Sequence, residues 1–403
     1  MKNTIIFINL GNFGSTGTII REIGQCAEKK GFSCFYAYPD TKRNRKIEDH
    51  DIIICSDLRR KIAEKLSIYT GLRDIWLIWE TRKFLKKIDL IKPDIIHLNN
   101  LHDTYLNLYM LFKYIKKNNI QVVWTLHDCW AFTGHCPHYS MVKCDRWKFG
   151  CGKCKQLKYY PYAKVDRTKI MWILKRRWFT GVPKIQLITP SKWLAEQVSE
   201  SYLNNYPIKI INNGIDLSIF KPTESLFRYT HNLVDKHIIL GVSTDWSNKK
   251  GLDIFIELSS KLDSNYVIVL IGTDENIEKI LPSNIISIRR THNQKELAEI
   301  YSIADVFVNA TKEEVFGLVN VESLACGTPV ITFNSGGSPE CISTKCGYVL
   351  HENNITELIN KIKYVCENKP FSKANCIEHA KKFNKNIKYN EYIDLYFNLL
   401  GKD

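Results

Sequence analysis

No apolar run in this 403-residue sequence approaches the roughly 18 residues of a membrane-spanning helix, so no transmembrane helix is expected. The opening MKNTIIFINLGNFG offers one basic residue and an apolar stretch. That stretch is too short for a secretory leader and runs into a Gly-rich turn instead of a small-residue cleavage site. It reads as the buried first strand of a cytoplasmic protein. The P-loop pattern and a true G-x-G-x-x-G are missing as well, which removes two strong signatures of phosphate-binding loops. What remains, at 44% hydrophobic and 25% charged residues, is a soluble globular chain too long for one core, so two domains are expected.

Acid is scarce in one half. Residues 1–205 hold 35 Lys and Arg against 18 Asp and Glu, a balance of +17, while the rest hold 22 against 24. A basic half attracts nucleic acid, anionic membrane or phosphorylated substrates. Two stretches, 59–92 and 158–181, mix Lys and Arg with Trp, Tyr, Ile and Leu, the composition of helices that lie on anionic lipid. The plainer alternative is a helix packed on a sheet with a solvated basic face. With the charge balance added, peripheral contact with an anionic membrane is the expectation.

The chain alternates apolar runs and helical patterns, which specifies an α/β fold with mainly parallel sheets. Strands are expected at 5–9, 33–38, 52–55, 95–98, 122–126 and 186–189. The pattern restarts near residue 207, with strands at 208–211, 238–242, 266–271, 285–288, 306–309 and 330–333. This gives a first domain 1–206, a second domain 207–385 and a terminal helix 386–403 that packs back on the first. Two open-sheet domains joined by a hinge imply a ligand in a cleft between them.

Within the second domain, residues 305–340 read as strand, loop, helix and strand, the helix ending before Gly327 and Pro329. Glu314 and Glu322 frame the helix start, about 12 Å apart at a rise of roughly 1.5 Å per residue. Between them lie the backbone N–H groups of Val315, Phe316, Gly317 and Leu318, which a diphosphate fits. Capping and a solvated helix face are the plainer roles for the two glutamates. Lys250, after Lys249 at the start of another helix, is placed to reach a diphosphate there. In the first domain, Gly11–Gly17 forms a small-residue turn before a helix at 19–30. His127 stands just past the end of a strand, where open sheets place ligand groups. Its neighbour Asp128 either fixes the imidazole tautomer or caps the next turn.

A segment at 129–156 is dense in Cys and Trp. Disulfides are unexpected in a cytosolic chain, and Cys151 and Cys154 have metal-ligand spacing. Cys136 and Cys144 would complete a tetrahedral structural zinc site, with His135 or His138 as substitutes; buried thiols are the alternative.

Together these pieces resemble family 4 of the retaining, nucleotide-sugar-dependent glycosyltransferases of GT-B fold, whose two Rossmann-like domains face each other across a cleft. The resemblance rests on TLHD at 125–128, TPS at 189–191, NNGID at 212–216 and KKG at 249–251. It continues with E-x-F-G-x-x-x-x-E at 314–322, ACGTPVI at 325–331 and GGSPE at 336–340. The Cys/Trp segment and PSKWLAEQV resemble a subgroup of capsule, O-antigen and exopolysaccharide assembly. The resemblance implies that Glu314 faces the donor sugar, Glu322 the ribose, and the N–H groups of Val315–Leu318 the diphosphate. Lys250 would neutralise the leaving group, His127 contact the donor sugar, and the Gly14 loop close over the phosphates. No catalytic metal is expected. The family's Arg before the lysine is missing here, near Ser243 and Thr244, and Lys249 is the expected substitute. The implied partners are a nucleoside-diphosphate sugar, a lipid-linked glycan acceptor and an anionic membrane. A soluble acceptor, as in sucrose- or glycogen-synthase-like enzymes, is the nearest rival. Nucleic-acid binding rests on charge alone and leaves the E-x₇-E block without a purpose.

Overall fold

The structure, a computed structural model, describes residues 2–42, 44, 48–351 and 354–401. Among the described residues, thirteen strands run in chain order as β1 (Thr4–Ile8), β2 (Ser33–Tyr38), β3 (Asp51–Ile53), β4 (Ile95–Leu98), β5 (Gln121–Thr125), β6 (Ile185–Thr189), β7 (Ile208–Ile210), β8 (His237–Val242), β9 (Tyr266–Ile271), β10 (Ile285–Ile288), β11 (Val306–Asn309), β12 (Val330–Phe333) and β13 (Gly347–Leu350). The first helices are α1 (Gly14–Lys29), α2 (Asp57–Thr70), α3 (Ile78–Ile91), α4 (Leu108–Asn118), α5 (Thr168–Phe179) and α6 (Lys192–Ser199). They are followed by α7 (Phe227–Thr230), α8 (Leu252–Lys261), α9 (Glu275–Glu278), α10 (Gln294–Ile303), α11 (Leu318–Ala325), α12 (Ile355–Asn368), α13 (Lys373–Ala380) and α14 (Lys385–Leu399).

The chain divides into two compact units. One runs to Asn212 and resumes at Tyr389; the other is Asn213–Lys388. Each holds one parallel sheet, ordered β3-β2-β1-β4-β5-β6-β7 in the first and β10-β9-β8-β11-β12-β13 in the second. Both are doubly wound, and the strand order reverses between β1 and β4 and between β8 and β11. Helices cover both faces, so the central strands read as unbroken apolar runs. In β8, Ile238 and Leu240 face one apolar cluster and Ile239 the other, the period of two that a strand imposes. In the first unit Phe112, Trp124 and Phe179 pack with ring centroids 4.6–5.6 Å apart.

Three expectations change. Strand β7 pairs with β6, so it closes the first sheet instead of opening the second, and the first unit extends past residue 206 to Asn212. Helix α1 starts at Gly14, not Ile19, so half of the small-residue turn is its first turn; Gly17 is needed there because a Cβ would lie 2.7 Å from the Asn12 carbonyl carbon. Helix α14 starts at Lys385 and joins the first unit from Tyr389; residues 402–403 of the expected terminal helix lie outside the described residues. Among the described residues, no helix is long and apolar enough to cross a membrane.

The last helix is tied to the first sheet by polar contacts. Tyr396 and Thr125 contact the buried His97 of β4 at 2.7 and 2.8 Å, and Tyr389 donates to Glu22 at 3.0 Å. Burial lowers the pKa of His97 to about 3, so its imidazole stays neutral in this network.

Candidate functional site

In the second unit, the loop between β11 and α11 lies at the carboxyl ends of the two strands where the sheet order reverses. Two ion pairs anchor it: Lys250 Nζ to Glu314 Oε2 at 2.8 Å, and Lys249 Nζ to the buried Glu313 Oε2 at 3.1 Å. Gly251 permits this approach, because a Cβ there would lie 2.5 Å from the Ala310 carbonyl oxygen. Behind the loop the Asn309 amide donates to Asn320 (2.9 Å), the Asn320 amide to the Ser338 hydroxyl (2.8 Å), and that hydroxyl meets Thr332 Oγ1 at 2.8 Å. Such a satisfied buried network fixes loop, helix and the Gly336–Glu340 turn as one piece. Gly336 sits against the Glu314 backbone, and Gly337 N–H donates to the Glu314 carbonyl at 3.0 Å.

Helix α11 starts at Leu318, with Gly317 at its cap in the left-handed region (φ 92°). First-turn N–H groups of a helix lack intrahelical acceptors and favour an anion. The amide of Val315 is already taken by Glu314 Oε1 at 3.1 Å. Partly exposed ion pairs such as Lys250–Glu314 are worth about 1 kcal/mol or less, so the ammonium is only weakly committed to the carboxylate. At the far end of the motif Glu322 accepts from the Tyr301 hydroxyl at 3.2 Å, and burial raises its carboxyl to about 7. A carboxyl poised near neutrality accepts or donates a hydrogen bond to a hydroxyl group.

In the first unit His127 follows β5, its Nε2 3.1 Å from Asn99 Oδ1. Burial lowers its pKa to about 4, so it is neutral near pH 7. Asp128 turns away from it: one carboxylate oxygen accepts from the Trp130 N–H at 2.8 Å, and the other pairs with His102 Nε2 at 3.2 Å. The expected cap is formed, but the imidazole that Asp128 holds is His102, which no sequence motif marks. Burial opposes ionisation of Asp128, yet His102 and the Trp130 N–H bring its pKa down to about 2. His102 is raised in turn; burial works against it and Asp128 prevails. Gly14 is the first residue of α1, with φ 74°.

Cys136, Cys144, Cys151 and Cys154 gather in the loop after β5. Burial raises the Cys136 thiol, and the other three raise it further. Among the described residues, no group of three or more His, Cys, Asp or Glu side chains is placed to hold a metal ion. Cys151 Sγ accepts from the Gly134 N–H at 3.1 Å, and burial with the charges of Arg73 and Lys175 keeps His135 neutral. The loop is held by α5: Lys175 donates to the carbonyls of Trp130 and Thr133 and lies 3.4 Å from the Trp130 ring centroid, and Trp172 donates to the Trp147 carbonyl at 2.7 Å.

Residues 16–219 match the family model described as Glycosyltransferase Family 4, and residues 225–388 the one described as Glycosyl transferases group 1. Over 284 residues the chain is 26% identical to WcaC of Escherichia coli K12, a protein ascribed to colanic acid biosynthesis as a glycosyl transferase; the overlap covers 67% of each. Sucrose-phosphate synthase of Thermosynechococcus elongatus superposes with a TM-score of 0.74 at 18% identity, covering 99% of this chain and 100% of the other. HepE of Anabaena, solved with UDP-glucose, gives 0.68 at 14%, covering 98% and 99%. At such identities the structural likeness speaks for the fold alone.

Proposed function

Because the chain belongs to glycosyltransferase family 4 and has the two doubly wound units of the GT-B fold, we propose that it transfers a sugar from a nucleoside diphosphate to a lipid-linked glycan in surface polysaccharide assembly. The transfer retains the anomeric configuration, and the enzyme works peripherally on the inner face of the cell membrane. WcaC's ascribed role and the UDP-glucose held by HepE support this reading.

The observation that carries it is the start of α11 flanked by the Lys250–Glu314 pair. The bond between the anomeric carbon and the diphosphate oxygen breaks, and the departing charge is met by the first-turn N–H groups and Lys250. The acceptor oxygen bonds to the same face of that carbon, and its proton passes to the diphosphate. No protein nucleophile is needed, because preorganised N–H groups and a cation stabilise the charge as it develops. Glu314 holds the donor sugar, Glu322 the ribose, and Lys249 takes the place of the family's Arg. His127, a neutral imidazole, suits a sugar hydroxyl.

Membrane contact is supported by α2. It buries only Ala63 and Ser67, while Leu58 (70% exposed), Ile62, Leu66 and Tyr69 form an apolar stripe at helical spacing toward solvent. Arg59, Lys61 and Lys65 flank the stripe. An apolar stripe between cations matches an anionic lipid surface, each basic residue adding about 1 kcal/mol there. The test is a panel of nucleoside-diphosphate sugars read out as nucleoside diphosphate release, with and without a lipid-linked acceptor. Release with soluble sugars alone, or from no donor, would overturn the reading.

A further inference from the structure

Two lysines and two glutamates stand side by side at the loop between β11 and α11, and one of their two possible pairings is built. Consecutive residues of the turn Asn248–Lys250 send Lys249 to Glu313 (3.1 Å) and Lys250 to Glu314 (2.8 Å). The acceptors differ in burial: the Glu313 side chain is 4% exposed and that of Glu314 22%. A carboxylate shut away from water holds its cation firmly, because losing it would leave a buried charge without a counter-charge, whereas a partly exposed pair is weakly held. Burial thus separates the two lysines. Lys249 is tied to a buried partner and Lys250 to an accessible one.

The surrounding contacts grip Lys249 a second time. The Lys312 N–H donates to the Lys249 carbonyl at 2.9 Å, so Lys249 is held at both its ammonium and its backbone. Thr311 Oγ1 donates to the Glu313 carbonyl at 3.0 Å, and Lys312 Nζ reaches back to Asp253 Oδ2 in the first turn of α8. Three ion pairs therefore join residues 249–253 to 312–314. Lys250–Glu314 is the one in which both side chains are more than a fifth exposed.

We propose that Glu313 is a positioning residue for the donor diphosphate. By pinning Lys249 it fixes the turn, aims Lys250 at the start of α11 and keeps Lys249 from competing for Glu314. The Lys249 ammonium, on a side chain 34% exposed, keeps N–H donors for the anion. This rests on the reading that the start of α11 takes the diphosphate. A purely electrostatic role for Glu313 predicts the opposite sign: with one negative charge fewer beside the site, an anion would bind more tightly.

The test is titration calorimetry of UDP, GDP and ADP on the full chain, at a temperature where unfolding curves show each variant folded. At least one diphosphate should bind. Glu313→Gln, which keeps the shape and removes the charge, should weaken it about tenfold, the scale of a hydrogen bond to a charged group. Glu313→Asp keeps the charge and shortens the reach, so it should also lose affinity, which a role of charge alone would not produce. Lys249→Gln should weaken binding at least as much as Glu313→Gln, and adding Glu313→Gln to it should cost nothing further, because the two residues act as one unit. Lys249→Arg, which keeps the pair, should recover most of the loss. Unchanged or tighter binding by Glu313→Gln, wild-type binding by Glu313→Asp, or additive losses in the double variant would each overturn the proposal. A chain that binds none of the three diphosphates sinks the donor-site reading and this proposal with it. Diphosphate binding that is indifferent to Glu313 sinks the proposal alone.

Discussion

The two units share one strand order and use its reversal point in opposite ways. In the second, the reversal holds two Lys–Glu pairs beside a helix start, where backbone N–H groups lack intrahelical acceptors. In the first it holds a charge-balanced cavity walled by Tyr160 and backed by His102 and Asp128. Topology decides where a ligand sits, and side-chain chemistry decides which ligand it is. The same contrast appears in two carboxyls. Burial prevails at Glu322 and raises it, whereas Asp128 is lowered because its imidazole partner outweighs burial.

The sharpest break in the comparison would come at the ion pair. Lys250→Ala and Glu314→Ala should each lower sugar transfer by about 2–4 kcal/mol of transition-state stabilisation, read as kcat/KM for nucleoside diphosphate release. Near-normal transfer by either variant would remove that residue from the donor site. Gly336→Ala should cost about 2–3 kcal/mol of stability in denaturant unfolding, since a Cβ would lie 1.8 Å from the Glu314 carbonyl oxygen at φ 56°. A midpoint like the wild type's would show that the turn does not clamp the loop. On the first unit, Leu58→Ser or Ile62→Ser should each weaken sedimentation with phosphatidylglycerol vesicles by about 1–2 kcal/mol and leave zwitterionic vesicles unbound. Equal binding by wild type and variants would detach α2 from the membrane. The smallest effect concerns Glu322. Its folded pKa lies above the unfolded value, so the native state holds the extra proton and stability falls as pH rises from about 4.5 to about 7. Glu322→Gln should flatten that slope by about 1 kcal/mol, discounted for its partial exposure, in melts across the window. An unchanged slope would place the carboxyl in a more solvated setting.

Much of the fold was legible because parallel strands buried on both faces leave unbroken apolar runs, as in β4, β9 and β12. Edge strands leave weaker traces. β7 was seen but given to the wrong sheet, since periodicity says nothing about pairing, and β13 was missed because Gly347 and the exposed Val349 break its pattern. The donor motif was readable because Glu314, the helix start and Glu322 lie in one short run. Glu313, next to Glu314, passed unnoticed, and its burial against Lys249 is a tertiary fact. The first unit's cavity draws on residues 13, 42, 57–64, 103 and 160, so no local spacing announces it. The thiols have ligand spacing in the sequence, whereas the amide that Cys151 accepts from, at Gly134, is a tertiary fact.

Helix α14 has a consequence for biosynthesis. His97 lies at the centre of the first sheet, but the tyrosine that meets its Nδ1 is near the carboxyl end of the chain. A ribosome adding about 5–20 residues per second spends roughly 10–35 s on residues 213–388 between the last strand of that sheet and Tyr389. Throughout that interval the first unit waits with its polar centre uncovered while the second is being made. The unit that is begun first is closed only after the second has been made, and a nonsense codon within residues 389–403 injures the unit whose translation began earlier.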